Sequence, residues 1–388
     1  MFPKKTCLRT GLLGLLTLTT FGCGGAPTSP TMPAGSCTPA SPAAFAYVLN
    51  SFSTETISMY TMDSCTGALT PTTPATIASG GNDFGSEAMA VDPSGRFVYV
   101  ANLISNASDQ ATISMFSINS STGTLTPTTP ATVATGFFPQ GIGIDPAGKF
   151  VYTANSDDNS VSMFTINASS GVLTPTTPPA VPAGRSPLSI TVDPSGKFAY
   201  AANQDDDTIS MYTVNPSSGI LTPTSPATAS TGGSPFQVTV DPSGKFAYVP
   251  NAYDPRNPVS QYTIDPATGV LTPDTPAFVA AGNSPTSVAI DPSSKFAYVV
   301  NRQDDTLSMF KIDPGTGGLT PNTPATIATG QQPFRVVVDP TGKFVYVVNE
   351  SSSSVSIYTI KTDGTLTAAG AAATNGPPVS VVVSRAQP

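Results

Sequence analysis

The chain is 388 residues long, with 16 Lys and Arg against 24 Asp and Glu, no His, no Trp and 4 Cys. Without His there is no imidazole for metal ligation, for a Ser-His-Asp or Cys-His relay, or for a proton shuttle near neutrality. A formal charge of −8 works against nucleic acid as a partner, since such binding rests on Lys and Arg neutralising phosphates; 33 Gly and 40 Pro favour many short strands over long helices.

In chain order, the first element is an export signal. Lys4, Lys5 and Arg9 precede an apolar run over 11–18, which is too short to span a bilayer as a mature helix. Gly22-Cys23 then resembles a bacterial lipobox, with Thr20 where Leu is usual, so lipidation of Cys23 and ordinary signal cleavage are both open. Residues 23–44 are small, polar and Pro-rich, the composition of a flexible tether. Removal of 1–22 takes three positive charges with it, giving −8 − 3 = −11. Cys7 leaves with the signal, so Cys37 and Cys65 are expected to form a disulfide in an oxidising compartment. The expected location is the bacterial cell envelope, with membrane contact only through the lipid.

From residue 45 onward one motif repeats. Its second strand ends at Asn50, Asn102, Asn155, Asn203, Asn251, Asn301 and Asn349, spaced 48 to 53 residues apart. Each unit holds short β-branched and aromatic runs broken by Gly, Pro, Asn or Asp, with no helical period. This predicts four antiparallel strands, A to D, per unit. Asp-Pro-Ser-Gly-Lys/Arg turns join A to B, as at 92–96, 193–197 and 241–245. Strand D reads Leu-Thr-Pro-x-x-Pro-Ala, as at 125–131, and its two prolines mark an outer edge. The Phe-x-Tyr of strand B and Met-Phe/Tyr of strand C are expected to pack one sheet on the next.

The repeat starts with a strand B at 45–50 that has no strand A before it, and ends with a strand A, Pro378–Val383, that has no strand B after it. Paired, they complete a seventh sheet and close a ring, predicting an all-β seven-bladed propeller over 45–388.

The repeat Asp-Pro-Ser-Gly-Lys-Phe-x-Tyr-Val-x-Asn resembles the bacterial seven-bladed propeller lactonases, the 6-phosphogluconolactonase-like family. Tyr99-Val-Ala-Asn102, Tyr152-Thr-Ala-Asn155 and Tyr346-Val-Val-Asn349 also resemble YVTN-repeat propellers of cell surfaces. The resemblance implies a lactone hydrolase with Arg-His at the start of strand A and Glu after the strand-B Asn. Here the Arg positions hold Glu87, Gln140, Leu188, Phe236, Thr286, Phe334 and Val379, and the His positions Ala88, Gly141, Ser189, Gln237, Ser287, Arg335 and Ser380. Only Glu350, after Asn349, matches the family's Glu, with Arg335 one place from its Arg.

Topology puts the near-invariant A–B and C–D turns at one end, read as structural, and the variable B–C and D–A loops at the other. The loop end carries Phe84, Glu87, Phe137, Phe138, Gln140, Arg185, Tyr253, Arg256, Arg302, Arg335 and Glu350. Glu87, Gln140, Gln237, Arg335 and Glu350 are expected to converge near the axis, with Arg302 and Arg185 as further ligand contacts. Asp157-Asp158, Asp205-Asp206-Asp207 and Asp304-Asp305 could supply oxygen ligands to calcium or be solvated turns, and otherwise no cofactor or metal is expected. Two functions compete. One is a monomeric, surface-anchored scaffold binding a protein, glycan or small molecule. The other is a lactonase-like hydrolase with Glu350 as general base and Arg335 at the oxyanion.

Overall fold

The computed structural model describes residues 44–51, 54–81, 86–103, 111–254, 256 and 258–384. The export signal, Cys23, Cys37, the tether up to residue 43 and Phe84 lie outside them. Among the described residues there are 28 strands in seven four-stranded antiparallel sheets.

Blade 1 is built from both ends of the repeat: Pro378–Val383 is strand A, Ala44–Asn50 strand B, Thr56–Met62 strand C and Leu69–Ala78 strand D. Blades 2 to 7 follow at 86–134, 139–182, 187–230, 235–280, 285–328 and 333–373. The closing pair runs in register from Ala46↔Val383 to Leu49↔Ser380. It is tied at its ends by Ser384 N–H to the Phe45 carbonyl (2.8 Å) and Ser51 N–H to the Pro377 carbonyl (3.0 Å). The expected closure is present. Val379 and Val381 are 2 % and 3 % exposed, so the last strand is core rather than appendage.

Adjacent blades are joined by a repeated set of side-chain bonds. The strand-B Tyr of each blade donates its hydroxyl to the carbonyl of a Gly in the next blade's C–D turn, from Tyr47 to Gly123 (2.9 Å) round to Tyr346 to Gly67 (2.8 Å). Those Gly residues have positive φ, and a Cβ on Gly123 would meet the Phe45 ring at 2.2 Å, which is why no other residue serves. The strand-C Met accepts from the next blade's backbone, as Met163 Sδ does from Leu221 N–H at 3.2 Å. Where Gln261 replaces Met, its Oε1 takes the same N–H, from Leu319 at 2.7 Å. The Met and aromatic stripe is therefore packing between sheets, as expected.

Within each blade, the strand-B Asn is buried and donates its Nδ2 to a strand-C Ser: Asn155 to Ser162 and Asn301 to Ser308, both 2.8 Å. In the A–B turn, Asp241 Oδ1 accepts the Lys245 and Phe246 N–H groups at 2.9 Å. Strand D lies at the outer edge of every sheet, and in blades 1 to 6 it bulges around its second Pro, so the ladder there is interrupted.

Candidate functional site at the axial mouth

Strand A starts with a bulge in every blade whose pairing is regular there. In blade 7, Pro333 opposes Asn349 and Arg335 opposes Val348, leaving Phe334 unpaired between them. The same offset leaves out Glu87, Gln140, Leu188, Thr286 and Val379. A bulge re-aims the residues around it. All seven residues that follow, Ala88, Gly141, Ser189, Gln237, Ser287, Arg335 and Ser380, line one cavity of about 200 Å³ on the axis. None of the bulge residues does.

This decides which expected site residues meet. Gln237 and Arg335 face the axial cavity, and Arg335 is the one charged side chain among its described lining. Gln140 occupies a bulge and is absent from the lining. The backbone of Glu87 lies in Ser86–Val91, but its side chain is outside the described residues. Glu350 does not stand at the axis; it sits in the loop layer, where Oε2 takes Arg302 Nη2 at 2.5 Å. Gln140 and Glu350 thus do not line the axial cavity with Gln237 and Arg335: Gln140 falls on the strand-A bulge, and Glu350 follows strand B in the B–C loop.

A smaller constellation forms instead. Phe236 and Phe334 meet edge to face at 5.5 Å and 85°. The Arg335 guanidinium lies 5.5 Å from both ring centres, and that of Arg302 lies 5.3 Å from Phe334. Phe334 therefore carries both cations, and Glu350 is bound to the outer one. Such stacking keeps each guanidinium fork oriented. The Glu350–Arg302 pair is partly buried, with side chains 18 % and 30 % exposed, and Arg302 Nε is buried with no hydrogen-bond partner among the described residues. Phe236 and Phe334 carry no polar signal of their own. What marks them is Pro-Phe immediately before an axial residue, in Pro235-Phe236-Gln237 and Pro333-Phe334-Arg335.

Three polar side chains of the cavity are engaged between blades. Ser189 Oγ accepts Val238 N–H (3.2 Å), Gln237 Oε1 accepts Val288 N–H (3.1 Å) and Ser287 Oγ accepts Val336 N–H (3.3 Å). Each ties its own blade to the next around the axis. Gly141 and Gly143 close the tightest seam: a Cβ would meet the Leu188 carbonyl at 2.7 Å and the Ile190 carbonyl at 2.6 Å.

The remaining loop-end residues are held at the rim. Arg185 pairs with Asp206 at 2.6 Å, and Arg256 with Asp254 at 2.7 Å while lying 5.4 Å over Phe278. Tyr253 is 61 % exposed, and Phe137 38 %. The acidic loops are fastened to the backbone. Asp158, Asp206 and Asp304 each accept an N–H from the D–A loop of their own blade, at 2.6 to 2.7 Å. Asp207 and Asp305 accept Ser234 and Gln332 N–H of the following blade, both at 2.7 Å. Among the described residues no group of three or more acidic or Cys side chains is placed to hold a metal. Cys65 is disulfide-bonded, and its expected partner Cys37 lies outside the described residues.

The family model of the seven-bladed β-propeller lactonases matches residues 39–186, 174–282 and 273–383. The chain belongs to this lactonase propeller family. Among solved structures, a candidate 6-phosphogluconolactonase from Bacteroides fragilis is similar at 21 % identity and TM-score 0.72, covering 91 % of this chain and 100 % of that one. The periplasmic gluconolactonase of Pseudomonas aeruginosa is similar at 19 % identity and TM-score 0.71, covering 89 % and 99 %. Hydrazine synthase from Kuenenia stuttgartiensis also matches, at 19 % identity and TM-score 0.56, covering 86 % and 99 %. At such identities these likenesses show the wheel, which hosts unrelated chemistries. No curated protein matches the chain.

Proposed function

We propose that this lactonase-family chain is an exported hydrolase of small sugar-derived lactones, acting at the loop-end mouth of the axial cavity. The observation that carries the reading is the stack of Arg335 and Arg302 on Phe334, with Glu350 bound to Arg302. Family membership and neighbours described by lactonase activities support it. Arg335 would hold the lactone carbonyl oxygen and the negative charge that develops on it. Glu350 would accept a proton from water through Oε1, which has no protein partner among the described residues. The resulting hydroxide adds to the carbonyl carbon. The ring C–O bond then breaks, the ring oxygen takes the proton back, and a hydroxy acid leaves as its carboxylate plus a proton. Arg302 is a positioning residue that fixes the carboxylate. The test is a pH-stat assay of the full chain on aldono-δ-lactones: Glu350→Gln should lower kcat/KM by about 10²-fold or more, whereas wild-type turnover at the buffer rate would reject hydrolysis.

The scaffold reading keeps one observation in its favour: Ser189, Gln237 and Ser287 of the axial cavity are engaged in blade-to-blade bonds. It expects the same lactones to bind at the mouth without being consumed.

Export rests on Lys4, Lys5, Arg9 and the apolar run before Gly22-Cys23. Cys23 would carry the lipid that holds the wheel at the envelope. In a bacterial host, Cys23→Ser should release the protein from the membrane fraction, and an unchanged membrane fraction would reject the anchor.

A further inference from the structure

The turn end of the wheel, expected to be purely structural, holds a cleft of about 620 Å³ between the turns of blades 5, 6 and 7. Two departures from the repeat create it. In six blades the C–D turn closes from a Gly N–H to a carbonyl four residues earlier, as Gly317 does to Asp313. In blade 7 it closes over three, Gly364 to Lys361, so this turn is one residue shorter. Each C–D turn covers the first Phe of the preceding blade's strand B. Under the short turn, Phe296 is only half-buried, whereas Phe45, Phe97, Phe150, Phe198, Phe246 and Phe344 are 2 to 6 % exposed.

The second departure is Lys311. Its register position carries Thr61, Ser117, Thr165, Thr213, Thr263 and Thr359 in the other blades. In blades 1 to 4 that hydroxyl donates to a strand-D carbonyl. Lys311 instead joins Lys245 and Lys295 on the cleft wall. The three ammonium groups make no ion pair or hydrogen bond among the described residues. The two carboxylates on the wall are engaged locally. Asp241 caps its own turn, and Asp363 Oδ1 accepts Thr365 N–H at 2.9 Å and its hydroxyl at 2.6 Å. Three unpaired cations around a half-open aromatic floor, on a chain of net charge −8, form a local anion site. The size lies in the range of small-ligand clefts.

We propose that this cleft binds a short anionic oligosaccharide, with sugar carboxylates on Lys245, Lys295 and Lys311 and the C–H face of a pyranose on Phe296. The cations supply charge, and the aromatic floor separates a sugar from a bare anion. Ser294 Oγ already accepts Ser243 N–H at 3.2 Å and has its own proton to donate to a sugar oxygen. The site is independent of the axial mouth, at the opposite end of the wheel.

Calorimetric titration of the full chain with trigalacturonate at low ionic strength tests the proposal. Saturable 1:1 binding is expected, weakened about tenfold or more by Lys311→Thr, which installs the residue of the other blades, and by Lys295→Ala. The fully methyl-esterified trimer should bind about tenfold or more weaker, and Arg335→Met should leave trigalacturonate binding unchanged. Failure of wild type to bind the trimer overturns the proposal. So does equal binding by Lys311→Thr or by the methyl ester, and inorganic phosphate binding as tightly as the trimer would reduce the cleft to an unspecific anion patch.

Discussion

At the scale of single residues, the strand-B Asn amides are buried and donate to strand-C hydroxyls. Asn203 is fully buried and gives its Nδ2 to Ser210 at 2.9 Å and to Thr208 at 3.0 Å. Asn203→Ala removes a donor from both hydroxyls, leaving Ser210 Oγ only the Gly184 N–H, and should lower unfolding free energy by about 1–3 kcal/mol, read by denaturant titration. Asp254 is 5 % exposed, and the Arg256 side chain with the N–H groups of Arg256 and Gly233 holds its carboxyl well below the usual carboxylate range. A depressed folded-state pKa means stability that is complete above the unfolded value near 4 and is lost as pH falls toward the folded one. The thermal unfolding midpoint should therefore fall below about pH 4, and less steeply in Asp254→Asn. An equal decline in both proteins would remove this pair from the acid response.

At the scale of elements, the loop end is set by side chains reaching from one blade into the next. Ser186, Ser234 and Gln332 adopt positive φ just before strand A. Their N–H groups are held by Asn159, Asp207 and Asp305 of the preceding blade. The conformation is costly for non-Gly residues and persists because the bond fixes it. Asp207→Ala should cost about 1–3 kcal/mol by denaturant titration and raise hydrogen exchange in the 231–236 loop. Asp-rich loops read alike in sequence whether they bind calcium, sit in solvent or staple loops, since all three want the same residue. The strand-A bulge was equally invisible. Position at the start of strand A places Gln140 near the axis, and only the extra unpaired residue shows that Arg335 faces it while Phe334 does not. Gly141 was legible as a filler at the family's His position, yet its reason is contact: Gly141→Ala drives a methyl into the Leu188 carbonyl and should cost about 1–3 kcal/mol.

At the scale of the whole molecule, the wheel itself was readable. Seven spaced Asn, a lone strand B at the start and a lone strand A at the end fix the number of blades and the closure, and both are found. Periodicity reports what repeats, so it could not disclose the cleft at the turn end, which comes from one residue missing in one turn and from Lys311 in place of a hydroxyl residue. Removing 378–388 would expose the inner edge of blade 1 and withdraw the buried Val379 and Val381. At about 1.5 kcal/mol or more for each Val, the loss should be read as a lower midpoint in denaturant and self-association on a sizing column. A monomeric wheel of unchanged midpoint would contradict closure as a source of stability.

Arg335 is the charge that the bulge delivers to the axis beside the Phe334-borne pair of Arg302 and Glu350. The most direct measurement of its role is the steady-state hydrolysis of an aldono-δ-lactone by wild type, Arg335→Lys and Arg335→Met. Arg335→Met should lose about 10²–10³-fold in kcat with a smaller change in KM, and Arg335→Lys should recover part of it. Arg335→Met turning over lactone at the wild-type rate would contradict the account.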